Sequence, residues 1–301
     1  MTNAVYNPYK DAALSTFRQA LRSKDFAISA ELALSARSNK ETILADARLL
    51  NACADAIQVP ESVEGEVHLS PLAASAILLN AGIDPVMHMN CRDRNRIALQ
   101  SELLGAKSIG VTSLLLMRGK EIPSDSRPKI EQVYDWGGRK LIAAANAMES
   151  ADFMIGSIAT VFKPDRDWKP EKLAAKIDAG VKFVQTQLCF DIDLLRHYMG
   201  RLVAEKLIQR VNVIVGLAPL PSADVAQWLG KTLRGAVVPA KIVKRLRQAS
   251  DPEQEGVEIC AEMLQQAAEI PGTRGANILA IDSPEAIVEA VNRSGVRNLN
   301  E

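Results

Sequence analysis

Short apolar runs of strand length alternate with longer amphipathic runs along nearly the whole chain. The run 26–32 (FAISAEL) is followed by a helical pattern over 39–52. The run 56–59 precedes a helix at 70–80, where Ser70-Pro71 reads as an N-cap with proline in the first helical position. Strand 85–89 leads to helix 93–104, strand 108–117 to helix 138–148, strand 153–158 to helix 170–179, and strand 183–187 to helix 191–205. Strand 211–216 opens onto a long helical stretch, 223–265, before strand 276–280 and helix 284–294 close the pattern. Eight strand–helix units predict a parallel sheet closed on itself. The expected architecture is a single (β/α)8 TIM barrel over residues 1–301, with an N-terminal helix across the barrel bottom and extra helices between strands seven and eight. The polar segment 118–128, with two prolines and a glycine, is the expected lid. Residues 297–301 are expected to fray.

Composition narrows the partners. The 301 residues are 48% hydrophobic and 24% charged, with a formal net charge of +0. A neutral chain lacks the basic footprint of a nucleic-acid binder. No apolar run reaches the roughly 18 residues that cross a bilayer, so no membrane partner is expected. Cys53, Cys91, Cys189 and Cys260 are scattered without a CxxC pair, and His68, His88 and His197 show no metal-ligand spacing, so no metal is expected. Reduced thiols, and an N-terminus without a basic-then-apolar leader pattern, predict a cytoplasmic protein. No GxGxxG or P-loop occurs, which argues against a Rossmann-type cofactor site.

In a barrel, chemistry gathers at the C-terminal ends of the strands. Strand one offers Glu31, a carboxylate in an apolar run. Desolvation there raises its pKa and suits a general acid; the plainer alternative is a paired carboxylate on a polar edge. Strand two ends in Gln58-Val59-Pro60-Glu61. Strand three ends in His88 and Asn90 and runs into Cys91-Arg92-Asp93-Arg94-Asn95-Arg96, whose arginines are expected to serve mainly in salt bridges. After strand four, Arg118-Gly119-Lys120 joins two cations to a glycine that allows close backbone approach to an anion. On strand six, alternation sends Gln185 and Gln187 to one side, where they can pair with an amide-like ring edge; Phe190 either stacks on that ring or packs under a helix. Leu217 belongs to the apolar wall 216–220 after strand seven. Gly272-Thr273-Arg274-Gly275 is a faint phosphate-loop candidate.

These segments resemble the methylenetetrahydrofolate reductase family, one after another. The family's helix start "hxSPLAxA" resembles 68–74. Its "HxxCRDxNRxxLQxxLLGA" signature is matched from His88 to Ala106, its "AGAxFxQTQxxFD" from Ala179 to Asp191, and its "GIxPL" resembles 216–220. The resemblance covers roughly residues 25 to 295. It implies a barrel enzyme that interconverts 5,10-methylenetetrahydrofolate and 5-methyltetrahydrofolate, taking hydride from NADH or NADPH through bound FAD, with methionine biosynthesis and methyl-group oxidation both open as its service in the cell. It makes Glu31 the general acid and places Gln187, Gln185, Phe190 and Leu217 on the tetrahydrofolate side. It assigns His88, Asn90, Arg118, Gly119, Lys120, Tyr134 and Lys176 to the cofactor side. A homo-oligomer is also expected. The chain departs from the family at the flavin. Lys120 stands where the family has Asp, residues 160–165 lack the His of the family's loop, and an Arg-Lys pair is reduced to Ala175-Lys176. Two alternatives therefore accompany the main reading: direct hydride transfer from NADH without flavin, and a non-catalytic folate-binding paralogue.

Overall fold

The strands are β1 (Ala27–Glu31), β2 (Ala56–Val59), β3 (Pro85–Asn90), β4 (Ser113–Met117), β5 (Met154–Ala159), β6 (Phe183–Leu188), β7 (Asn212–Leu217) and β8 (Thr273–Ile278). Parallel pairing runs from each strand to the next and from β8 back to β1, so the sheet closes into the expected eight-stranded barrel. This computed structural model describes residues 16–122, 129–149, 151–165 and 167–297. Residues 123–128 of the expected lid, and 298–301 of the expected frayed end, lie outside the described residues.

Eleven α-helices are present among the described residues. α1 (Phe17–Ser23) precedes β1. α2 (Lys40–Asn51), α3 (Pro71–Asn80), α4 (Arg96–Ile109), α5 (Gly138–Asn146), α6 (Glu171–Asp178) and α7 (Ile192–Ala204) follow the first six strands in turn. α8 (Ala223–Thr232), α9 (Ala240–Gln248) and α10 (Pro252–Ala268) separate β7 from β8, and α11 (Pro284–Ser294) ends the fold. The helix starts are written in the local sequence: Asn39 and Thr42 form a capping box, and Asp191, Asp251 and Ser283 each accept an amide of the first turn. Outward-facing strand residues such as Ile28, Ile57, Met87, Leu114 and Val184 are buried beneath this helical ring. No helix of the described residues is long and apolar enough to cross a membrane.

Three sequence expectations are corrected. β4 begins at Ser113, because α4 continues through Lys107 and Ser108 to Ile109. The stretch 223–265 is three helices, interrupted at 233–239 and 249–251. Thr273, Arg274 and Gly275 belong to β8, and Arg274 Nη2 donates to the carbonyls of Leu21 and Lys24, so this segment ties the bottom of the barrel and forms no phosphate loop.

The inside of the barrel is divided. Its lower part is apolar: Ala27, Ala56, Val86, Leu115, Met154, Phe183 and Ile214 pack against Phe17, Ala20 and Leu21 of α1. The ring of Phe183 stands edge-on to Phe17, with centroids 5.4 Å apart. It lies over Gly156, where an added Cβ would come within 2.1 Å of the ring. Asp84 Oδ2 accepts the Phe17 amide at 2.8 Å and holds α1 in place as a plug. All four cysteines are buried, and burial pushes the thiols of Cys53, Cys91 and Cys189 up to about 11 and that of Cys260 up to about 12.

Candidate active site

Above the apolar plug the interior turns polar. Gln58 Nε2 donates to Ser29 Oγ at 2.9 Å and to Gln185 Oε1 at 2.7 Å. With its amide so oriented, Gln58 Oε1 accepts, and His88 Nε2 donates to it across 2.7 Å. Ser29 Oγ in turn donates to Asn277 Oδ1 at 2.9 Å. Five strands thus contribute one buried polar side chain each to a single hydrogen-bonded layer. Burial pushes the His88 pKa down to about 3, so the ring is neutral and carries its proton on Nε2. Asn277 Nδ2 is buried and has no partner among the described residues. Sequence reading missed Ser29 and Asn277, because one small polar residue in an otherwise apolar strand carries no signal until the barrel closes.

Glu31 lies one layer higher. Strand alternation puts it on the same face as Ser29, two residues below, and Ala27, four below in the apolar plug. Its side chain is half-buried and has no hydrogen-bond partner among the described residues, and burial raises its pKa to about 8. A carboxyl group at the barrel mouth that stays protonated through neutral pH, with no cation to hold it, is equipped to give up a proton.

On strand six the ladder carries an irregularity. The pairing of β6 with β7 shifts register between Gln185 and Leu188. Gln185 joins the polar layer, while Gln187 is half-buried at the end of the strand. Phe190 (1% exposed) and Leu217 (0%) sit within the hydrophobic core. Neither presents a face for stacking in this conformation; the packing alternative describes them, and they back the site from behind.

The strand-three junction is a bracing device. Asn90 Oδ1 accepts the Arg92 amide at 2.8 Å, and its Nδ2 donates to Asp93 Oδ2. Arg92 is fully buried, paired with Asp93 at 2.7 Å, and its guanidinium donates to the carbonyls of Ser62, Val63 and Lys120. One side chain therefore ties the loops after β2, β3 and β4. Arg94 pairs with Glu61 and Arg96 with Asp135, as the salt-bridge expectation has it. Gly119 adopts φ +89°, and a Cβ there would press to 3.0 Å from Arg92 Cβ, so glycine is required at this turn. Tyr134 reaches Gly119 O with its hydroxyl at 3.3 Å, and Arg118 lies 4.2 Å above the Tyr134 ring. Lys120 pairs with Glu64 at 3.3 Å.

Arg118 and Lys176 meet across a cavity of about 610 Å³ between α5 and α6, floored by Leu116 and Ser157. Arg139, Lys140 and Lys172 add three more cations to its lining. The first turn of α5 also lines it, and no side chain caps that helix start at Gly137. The Lys140 amide is bonded to Gly137 O at 2.9 Å, which leaves the amides of Gly138 and Arg139; such helix-start amides and clustered cations are the donors a phosphate group uses. Lys176 Nζ donates to Ile158 O at 2.7 Å, and burial holds its pKa below the usual lysine range. The pair Gly137-Gly138 followed by Arg139-Lys140 was the readable signal for this cavity. Among the described residues there is no group of three His, Cys, Asp or Glu side chains able to hold a metal.

A family model described as methylenetetrahydrofolate reductase matches residues 16–295. A Caenorhabditis elegans protein named "Probable methylenetetrahydrofolate reductase (NADPH)" is 27% identical over 216 residues, which is 68% of this chain and 31% of that protein. "Methylenetetrahydrofolate reductase 1" of Schizosaccharomyces pombe is 21% identical over 244 residues, 77% of this chain and 39% of that protein. The chain thus spans under half the length of these relatives. Among solved structures, a Clostridium thermocellum protein of uncharacterised function, described as binding two copies of 5-methyl-5,6,7,8-tetrahydrofolic acid, superposes with a TM-score of 0.65 at 14% identity. That match covers 92% of this chain and 96% of the other. Tryptophan synthase from M. tuberculosis shares the barrel at a TM-score of 0.50 and 17% identity, covering 94% and 93%.

Proposed function

The chain belongs to the methylenetetrahydrofolate reductase family, and on that footing we propose that it reduces 5,10-methylenetetrahydrofolate to 5-methyltetrahydrofolate with Glu31 as the proton donor. The observation that carries this reading is the unpartnered, half-buried Glu31 with its pKa raised to about 8. The reaction needs one proton and one hydride. The proton goes to the folate nitrogen whose bond to the bridging methylene carbon breaks, and the hydride goes to that carbon. A carboxyl that stays neutral to about pH 8 supplies the first without a charged partner to compete for it. Gln187, half-buried at the end of β6, is suited to orient the pterin edge, and Gln185 is fixed beneath it by Gln58.

The cationic cavity between α5 and α6 fits the diphosphate common to FAD and NAD(P)H. Arg118, Arg139, Lys140, Lys172 and Lys176, with the uncapped start of α5, supply the donors. When bound, such a cofactor supplies hydride. What the chain itself contributes is the grip on the phosphates, the proton at Glu31, and an apolar wall behind the site from Phe190 and Leu217.

A second reading, direct transfer from NADH without flavin, is favoured by Lys120. It stands in place of the acidic residue of the family pattern and is engaged with Glu64. Two measurements test these readings. Purified protein with 5,10-methylenetetrahydrofolate and NADH or NADPH is expected to form 5-methyltetrahydrofolate; absence of product with either nucleotide, with and without added FAD, overturns the proposal. The visible spectrum then separates the two routes: bound flavin supports the first, and turnover by a colourless protein supports the second.

A further inference from the structure

A cavity of about 700 Å³ lies outside the barrel, between α8 and α9. The connecting segment 236–238 lines it, and that segment is fixed to the barrel. Val237 N donates to Leu188 O and Val237 O accepts the Phe190 amide, both at 2.8 Å, so Val237 adds a rung beside the end of β6. Small side chains make the room. Gly230 on α8 carries no side chain, and a Cβ added there would come within 3.5 Å of Val238. Ala240 and Val243 line the cavity from α9.

Charge gathers at the same place. Residues 223–248 carry six cations and one acid, in a chain whose formal net charge is +0. The fold divides that excess. Arg245 turns to α10 and pairs there with Glu255 and Glu262. Lys231, Lys244 and Arg247 line the cavity instead, and none of them has a carboxylate partner among the described residues. No acidic side chain among the described residues lines it. Lys244 and Arg247 are one helical turn apart on α9, and Lys231 comes from α8. Gln227 and Gln248 add neutral donors and acceptors. Like charges gathered around one hollow repel, and an anion among them relieves that cost. An arginine fork and two ammonium groups are the donors that phosphate and carboxylate oxygens use, and the hollow has room for an organic body between them. We infer that this cavity binds a small organic anion carrying two or more phosphate or carboxylate groups. The site is separate from Glu31 and from the cavity between α5 and α6, and it does not depend on the reductase reading.

The test titrates the full chain calorimetrically with fructose 1,6-bisphosphate and, separately, with citrate. At least one of them is expected to bind, and the tighter of the two tells whether phosphate or carboxylate is preferred. Changing Lys244→Gln and Arg247→Gln together is expected to weaken that binding about 10- to 150-fold, the worth of a hydrogen bond to a charged group. The cationic cavity between α5 and α6 can also attract an anion, so Arg139→Gln with Lys140→Gln serves as the control and is expected to leave this binding in place. Ala240→Phe, at an exposed position of α9, fills the hollow and removes no charge. It is expected to weaken the same binding, which a diffuse attraction to surface lysines would not show. The inference is overturned if neither anion binds the unmodified chain, or if binding survives the paired change at Lys244 and Arg247. It is equally overturned if a folded Ala240→Phe variant binds like the unmodified chain; both variants are checked for an unchanged thermal midpoint.

Discussion

The lower and upper halves of the barrel interior are built from the same strands, two residues apart, yet obey opposite rules. Ala27 packs in the plug, Ser29 is hydrogen-bonded, and Glu31 stands unpaired. On β6, Phe183 fills the floor while Gln185 joins the polar layer above it. Below, volume is matched by aliphatic and aromatic side chains, and burial stabilises. Above, a buried polar atom needs a partner, and the layer is a chain in which Gln58 serves three neighbours at once while Asn277 Nδ2 is left without one among the described residues. The division shows where a barrel of this kind spends its freedom: stability is concentrated at the plugged end, and the polar end is left to hold groups whose protonation matters.

That division can be broken at several points. The largest effect is expected at Glu31→Gln, which removes the transferable proton and should lower the rate of folate reduction by about 10²- to 10⁴-fold. In the unmodified chain the rate should fall as pH rises through about 8, because only the protonated carboxyl donates. The same group marks stability. Its pKa is raised by folding, so its contribution is fully present below about 4.5 and is lost as pH climbs toward 8. Thermal midpoints at pH 5 and pH 9 should therefore diverge more for the unmodified chain than for Glu31→Gln. A variant that keeps its rate would remove Glu31 as the acid.

In the floor, Phe183→Ala should cost about 3–5 kcal/mol in denaturant unfolding, by leaving a void over Gly156 and against Phe17. The KM for folate should stay unchanged. Lost activity at unchanged stability would contradict the division. In the polar layer, Gln58→Leu leaves His88, Ser29 and Gln185 short of partners and should cost about 1–3 kcal/mol. Unlike the floor variant, it should also raise the KM for folate, since Gln185 loses its anchor. The smallest effect belongs to Lys120→Ala. Its ion pair with Glu64 is solvent-exposed, so loss of the pair should change stability by less than about 1 kcal/mol, read as a small shift in thermal midpoint.

Much of this was legible beforehand, and what was not has definite causes. Eight strands were readable because each is a short run of apolar residues bounded by helix caps, and the local caps at Asn39, Asp191 and Ser283 fall where the periodicity changes. Boundaries slipped where a helix ends in residues that also suit strands: Ser108 and Ile109 read as the start of β4 but complete α4. The break of the 223–265 stretch at Ala236, Val237 and Val238 was hidden because those residues continue an apolar pattern; in the fold, Val237 pairs with Cys189 beside β6. At the site, Glu31 was legible as a charge in an apolar run. The role of Gln58 was not, since its three partners come from three other strands. Phe162, Trp168 and Tyr198, whose ring centroids lie 5.2, 5.7 and 6.1 Å apart, were equally silent, because their meeting depends on the folded chain and on no spacing in the sequence.

The burial of all four thiols has a practical consequence. With Cys53, Cys91, Cys189 and Cys260 enclosed and their ionisation displaced to about 11 or 12, the native chain should be inert toward alkylating reagents at neutral pH. Each thiol then behaves as a clock that starts only when its own surroundings open. Cys91 follows Asn90 at the site's junction, whereas Cys260 lies in α10, outside the barrel wall. The order in which the two are labelled would report which opens first, the junction after β3 or the helical layer outside the barrel, with no engineered probe at all.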